Sequence, residues 1–481
     1  MKRSWKKYIP VIAGFCVWML LLNYSLATQQ QSLALILAAI VPGIFLLSLL
    51  IIDPELLLYS VILFVPLSIK SDLPGGFSIS VPSELIAVII ISYFVIYPDT
   101  IRQTDKRIYT HPVFLSLTAL MIWLLITSTI SSVPLVSFKR TIIQILYLLV
   151  FFFLFFTKFT TPSRIVKFYV FYAIGMIIPI LNGMIWHSQY NFNPQASYYM
   201  PQPFFIEHTI YGAALAFIIP FLYYLTFITN DFNRKNINKI MFGSILLLCV
   251  AGEILSFSRA AWLSLIAIPF FWLILKFRIR LGALFIILVV GSMIILLFLN
   301  PIISVISRNE ARSNRGNIRE QVESVSNIQT DISNLERINR WKCALRMYQE
   351  RPLTGFGPGS YQFKYGMYQV PKEMTRISTY HGEKGNAHSE YLGYLSETGL
   401  PGMMIYLVSI LFTLLTGFRI IYNVKDTGTR DLAIAVLLSL APFYVHTIFN
   451  GFLENDEIGS LYYGSLAAIC ALDLHFLRKL V

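Results

Sequence analysis

Charge is what this sequence has least of. Only 13% of its 481 residues are Asp, Glu, Lys or Arg, while 56% are hydrophobic and 15% aromatic. An ordinary soluble domain is about a quarter charged, so that class is excluded. Cysteine is scarce as well. Cys16, Cys249 and Cys470 fall inside apolar runs and Cys343 stands alone in a polar stretch, so neither an intramolecular disulfide nor a metal-ligand spacing follows. HxxxH, HExxH and DxD patterns are missing, which disfavours metal dependence; no cofactor is expected. Repeats and low-complexity tracts are missing too.

What is there is a succession of apolar runs. A bilayer core takes roughly 20 apolar residues per helix, and the chain offers twelve to fourteen such spans, the first near 8–26 and the last near 459–477. The runs at 55–69 and 84–97 are short enough to form one hairpin or to lie partly at the interface. The expected fold is an all-α polytopic membrane protein with one large extracytoplasmic loop containing short helices. Its units are a helix block over 1–300, a large loop over 301–387 and a second helix block over 388–481.

The net charge of +13 does not call for nucleic acid. With the amino terminus inside, Lys and Arg gather in alternate loops: Arg102, Lys106 and Arg107; Lys158, Arg164 and Lys167; Lys276, Arg278 and Arg280; Arg419, Lys425 and Arg430. Short loops on the other side hold only Lys70, Lys139, Arg140 and Arg259. This is the positive-inside bias, and it places both termini in the cytoplasm. The segment 301–387 then lies outside and carries thirteen further basic residues, an excess that asks for an anionic partner.

Several residues stand out. Residues 304–328 read as a helix with Arg308, Arg312, Arg315 and Arg319 on one face, either a solvated or headgroup-binding face or a path for an anionic substrate. A second helix over 333–350 carries Arg337, Arg340 and Trp341, and the run PLTGFGPGSY at 352–361 forms a turn beneath the site, lacking the lysine of a phosphate-binding loop. Arg259 interrupts two long apolar runs with Ser256 and Ser258 beside it, which places its side chain in a polar cavity or snorkelling to the surface. A smaller outer loop from His187 to His208 is rich in Tyr, Phe, Asn and Gln, suited to sugar rings or to an interfacial aromatic belt. His388 precedes a polar helix start, SEYL; an ordinary imidazole there accepts a proton near neutral pH. Glu454, Asp456 and Glu457 form an acidic cluster expected in a solvated loop. An anionic leaving group here is expected to meet arginines in place of a divalent cation, because guanidinium binds phosphate oxygens as a fork.

Three of these places resemble the O-antigen ligase and polymerase superfamily of bacterial envelope glycosyltransferases. They are SFSRAAWLSL at 256–265, ERINRWKCALRMYQERPLTGFGPGSYQF at 336–363 and AHSEYLGYLSETGLPG at 387–402, where Ser389 stands in place of the usual asparagine. The resemblance implies a metal-independent, inverting glycosyltransferase at the periplasmic face of the bacterial inner membrane. Its donor would be an undecaprenyl pyrophosphate-linked glycan and its acceptor a sugar hydroxyl of lipid A-core. Carried over by position, Arg259 and Arg337 bind the pyrophosphate and His388 is the general base, while Arg340, Arg312, Arg315, Arg319, His208 and Trp341 contribute to substrate binding. The polymerase that joins repeat units on the carrier is the nearest alternative. A protein O-oligosaccharyltransferase and a lipid or glycan transporter are the more distant ones.

Overall fold

The computed structural model of the chain describes residues 54–73, 77–102, 104–229, 236–278, 332–375, 377–379 and 385–477. The candidate spans near 8–26, 32–52 and 281–300 and the arginine helix at 304–328 lie outside the described residues. Among those described, eight helices are long and apolar enough to cross a membrane. They are α3 (Pro112–Thr129), α4 (Pro134–Lys158), α5 (Pro162–Ser188), α6 (His208–Ile228), α7 (Asn238–Leu255), α8 (Arg259–Lys276), α10 (Glu390–Asn423) and α11 (Thr427–His446). Leu115, Ile122 and Ile126 on α3, Ile174, Ile178 and Ile185 on α5, and Ile266 and Phe270 on α8 are exposed. Apolar faces of that extent on several long helices are what a lipid surface covers.

The short runs after residue 54 form a helix, a hairpin and a helix. Here α1 (Pro54–Phe64) and α2 (Ser83–Ile96) flank the antiparallel strands β1 (Ile69–Leu73) and β2 (Phe77–Val81). This hairpin corrects the all-α expectation locally. It caps the start of α12 (Asp456–Ala471): Lys70 donates to Asn455 at 3.2 Å, and the Ser80 and Ser83 hydroxyls donate to the Asp456 carboxylate.

Helix α12 is the axis of the bundle. Every residue of it is buried, and it packs against α4, α5, α6, α10 and α11. An α-helix that is apolar all round belongs inside, and small residues let its neighbours close in. A Cβ on Gly464 would sit 2.1 Å from the Phe168 ring of α5. The acidic cluster is therefore not a solvated loop, since Asp456 is 1% and Glu457 3% exposed at the start of this helix. Basic side chains sort to its two ends. Lys70 bonds Asn455 and Arg140 pairs with Glu454 at the start, while Arg419 pairs with Asp473 and Arg107 donates to Leu474 O at the finish.

The polar insert has a small core of its own. On α9 (Ile332–Glu350) the buried residues Glu336, Arg340, Cys343 and Met347 recur at helical spacing. Cys343, Ala344 and Met347 pack with Phe356, Tyr361, Tyr365 and Ala387. The glycine-rich turn then docks on α10 where that helix is broken at Gly399, whose φ is +71°. The Glu397 carboxylate accepts from the backbone N–H groups of Gly359 at 2.8 Å and Tyr361 at 3.0 Å, and Leu400 N donates to Pro352 O at 2.8 Å.

Candidate functional site

Two helix starts lie side by side at one end of the bundle. A Cβ on Gly212 of α6 would meet Ala261 Cβ at 3.0 Å and Ser258 Cβ at 3.1 Å, so α6 and α8 touch near their amino-terminal ends. Helix amino termini carry partial positive charge and unsatisfied N–H groups, which favours an anion. His208 opens α6 and Arg259 opens α8. The chain reaches Arg259 through Phe257, held in the left-handed region at φ +49°. The Ser256 hydroxyl donates to Glu253 O at 2.7 Å and accepts from Ser258 N at 3.1 Å, and Trp262 Nε1 donates to Glu253 O at 3.0 Å. The sharp α7–α8 junction is thus held by its own serines and tryptophan.

Helix α11 packs against both α6 and α8, and its last residue is His446. The insert meets the chain just past His446: Glu390 N donates to Thr447 O at 2.9 Å, and the Trp341 ring lies 6.3 Å from that of Phe449. Among the charges, that of Arg337 acts on His208, His446 and His388 alike, and Arg259 acts on His208. The structure therefore brings Arg259, Arg337, His208 and His388 to one region. Arg312, Arg315 and Arg319 lie outside the described residues.

Arg340 has a different set of partners. Its Nε donates to Glu336 Oε1 at 3.0 Å, Nη1 donates to Asn386 O at 3.2 Å, and the guanidinium lies 4.9 Å from the centre of the Tyr365 ring. It ties α9 to the backbone two residues before His388. Trp341 does the same from the next position, donating from Nε1 to His388 O at 3.0 Å.

His388 itself has φ +47°, a conformation that costs a non-glycine residue about 1–3 kcal/mol and persists only where its surroundings impose it. They do so here. The Asn386 side chain accepts from His388 N at 3.0 Å and donates to Gly451 O at 3.2 Å. Glu390 N donates to Thr447 O at 2.9 Å, and the Glu390 carboxylate accepts from Phe452 N at 2.7 Å and Leu453 N at 3.2 Å. Asn450 Oδ1 faces His388 Nδ1 at 3.4 Å. Burial, then the charges of Arg340 and Arg337, hold the imidazole down to about 3 against an ordinary 6.5, with the Asn450 contact opposing them. At neutral pH the ring is uncharged. A neutral ring with Nδ1–H turned to an amide oxygen leaves Nε2 as a proton acceptor.

A small cavity of about 60 Å³ is lined by Ala387 and Ser389, the neighbours of His388, and by Arg140, Gln144, Gln362 and Glu397. Asn386, Asn450 and His446 were not picked out in the sequence. Asn386 was accessible, because an asparagine two residues before a strained position is the pattern of a side chain closing a local turn. His446 was accessible as an ionisable residue in an otherwise apolar run.

Residues 242–407 match a family model described as O-Antigen ligase. The match takes in α8, α9, the glycine-rich turn and the first part of α10, with Arg259, Arg337 and His388, and it supports the O-antigen ligase superfamily read from the three motifs. No curated protein matches the chain. With eight apolar helices of spanning length, the chain is a multi-pass membrane protein.

Proposed function

We propose that this chain is an O-antigen ligase-like glycosyltransferase, moving glycan from undecaprenyl pyrophosphate to a sugar hydroxyl of lipid A-core at the periplasmic face of the inner membrane. The observation that carries the reading is His388: an uncharged imidazole in a strained backbone conformation, clamped by Asn386, Trp341 and Asn450 beside two arginines. A residue kept there only for packing would not need such a conformation.

In this reading Arg259 and Arg337, with the starts of α6 and α8, bind the diphosphate. The acceptor oxygen attacks the anomeric carbon as its proton passes to His388 Nε2. The bond from that carbon to the diphosphate oxygen breaks, and its electron pair leaves on the diphosphate. Attack on the face opposite the leaving group inverts the anomeric centre. The charge developing on the diphosphate is met by guanidinium forks, so the reaction as proposed needs no metal ion. Arg340 and Trp341 act by positioning, since their bonds go to the backbone that carries His388.

The test is genetic. In a strain lacking the gene, complemented with wild type or His388→Ala, lipopolysaccharide and carrier-linked glycan are compared on gels. Polymerised glycan that stays on the carrier and no longer reaches lipid A-core is the expected result. Loss of the ladder with single repeat units still on the core makes the protein the polymerase, and an unchanged profile removes glycosyl transfer altogether.

A further inference from the structure

His446 closes α11 where that helix meets α6 and α8, and it is 1% exposed. Both of its ring nitrogens are buried, and neither has a hydrogen-bond partner among the described residues. Its plane is fixed by an edge contact with Phe452, the ring centres 4.8 Å apart and the planes at 85°. His208 shares the arrangement: its Nδ1 is buried with no partner, and its ring lies against Tyr198 at 5.4 Å. His208 acts electrostatically on His446, and Arg337 acts on both.

A buried imidazole with neither nitrogen satisfied forfeits the hydrogen bonds it makes in water. Most of the residues around it on α11 are apolar or small, Leu440, Ala441, Phe443 and Tyr444 among them, so packing alone would accept an apolar side chain. The nearby guanidinium charge disfavours a cation as the missing partner and favours an anion with several acceptor oxygens. The adjacent starts of α6 and α8, both packed against α11, favour the same thing.

We infer that His446 is a diphosphate-binding residue, its ring N–H donating to a phosphate oxygen of the lipid-linked donor across from Arg337 and beside His208. The inference rests on the donor-site reading of Arg259 and Arg337. It adds a helix that lies outside the segment matched by the family model. His446 would bind the part of the donor common to every glycan, so its effect is independent of which sugar is transferred.

The test uses the full-length protein in nanodiscs, with undecaprenyl pyrophosphate as the titrated ligand, comparing wild type, His446→Phe and His446→Gln. A hydrogen bond to a charged group is worth roughly tenfold to hundredfold in binding. The phenylalanine variant is expected to bind the carrier at least about tenfold more weakly while unfolding at the wild-type temperature or above, because it removes the unpartnered nitrogens. Glutamine, which restores an N–H, is expected to recover part of the affinity. Wild-type affinity in the phenylalanine variant overturns the inference. So does an equal loss in both variants accompanied by lower unfolding temperatures, which marks a structural residue. Carrier binding is read without glycan transfer, so a retained His388→Ala activity would sink the catalytic reading and leave this result standing on its own.

Discussion

The neutral state of His388 predicts two different pH profiles for one enzyme. Its imidazole is held near 3 in the unliganded protein, from an ordinary 6.5, by burial first and then by Arg340 and Arg337. At about 1.4 kcal/mol per pH step this is on the order of 5 kcal/mol set against the imidazolium, and at pH 7 only about one ring in ten thousand is protonated. So weak a base is a poor proton acceptor, and the donor corrects it. A unit charge about 6 Å away at an effective dielectric of about 20 is worth roughly 3 kcal/mol, or about two pH steps. A bound diphosphate would therefore offset the arginine field and raise the ring back toward its ordinary range, closer to the value that favours general-base catalysis. Transfer assayed from pH 4 to 8 should give a kcat/KM that is flat to about pH 4, reporting the free enzyme, and a kcat that falls about a pH step or more earlier, reporting the complex. The sign is fixed: protonation removes the base, so both limbs fall toward acid. Between pH 6.5 and about 3 the unfolded chain also takes up a proton that the folded chain refuses, so this residue lowers stability as pH falls through that window. An acid limb near 6.5 in kcat/KM would refute the buried, arginine-flanked ring. Coincident limbs would refute a diphosphate seated beside it.

Three further outcomes follow from the contacts. Asn450→Leu removes the amide oxygen that faces Nδ1; kcat is expected to fall about tenfold or more with carrier binding intact, and an unchanged kcat would mean the tautomer is set elsewhere. Arg259→Lys keeps the charge and loses the fork, so a correctly inserted variant is expected to transfer poorly, and normal turnover would end the role assigned to Arg259. Gly399→Ala forces a Cβ to 2.3 Å from Leu353 O at a backbone φ of +71°; it is expected to cost more than about 2 kcal/mol, read as a lowered unfolding temperature, and a wild-type midpoint would refute the kink as a fixed element.

The eight described helices of spanning length were legible because an apolar run of membrane length has few alternatives, and the helix from residue 332 because its polar periodicity ends at Pro352. What local sequence could not supply was the identity of distant partners. Asp456 and Glu457 read as solvated because a window around them contains only a loop and a helix start. They are buried because β2 and Ser83, more than 370 residues earlier in the chain, close over that start. The hairpin escaped the sequence reading for a related reason: its strands are only five residues each and fall almost wholly between the apolar runs at 55–69 and 84–97, where the pattern offers only a connection.

The two arginines of α9 are a different case, because the sequence did contain the deciding signal. Arg337 and Arg340 are one helical turn apart, so periodicity alone assigns them to neighbouring positions on one side. The separation comes from Glu336, four residues before Arg340, a spacing at which a carboxylate meets a guanidinium on the same helix. Arg337 has Ser333 and Trp341 at the equivalent positions. The structure follows that difference: Arg340 is 7% exposed and is engaged by Glu336, the 386 carbonyl and Tyr365, and Arg337 donates to Asn334 Oδ1 at 3.2 Å; the charges of both act on His388, and that of Arg337 also acts on His208 and His446. An arginine held by its own carboxylate fixes backbone geometry, and one whose charge acts on three histidines is suited to an anion beside them. The division of labour proposed here, with Arg340 placing His388 and Arg337 holding the diphosphate, is therefore written in a single i, i+4 pair.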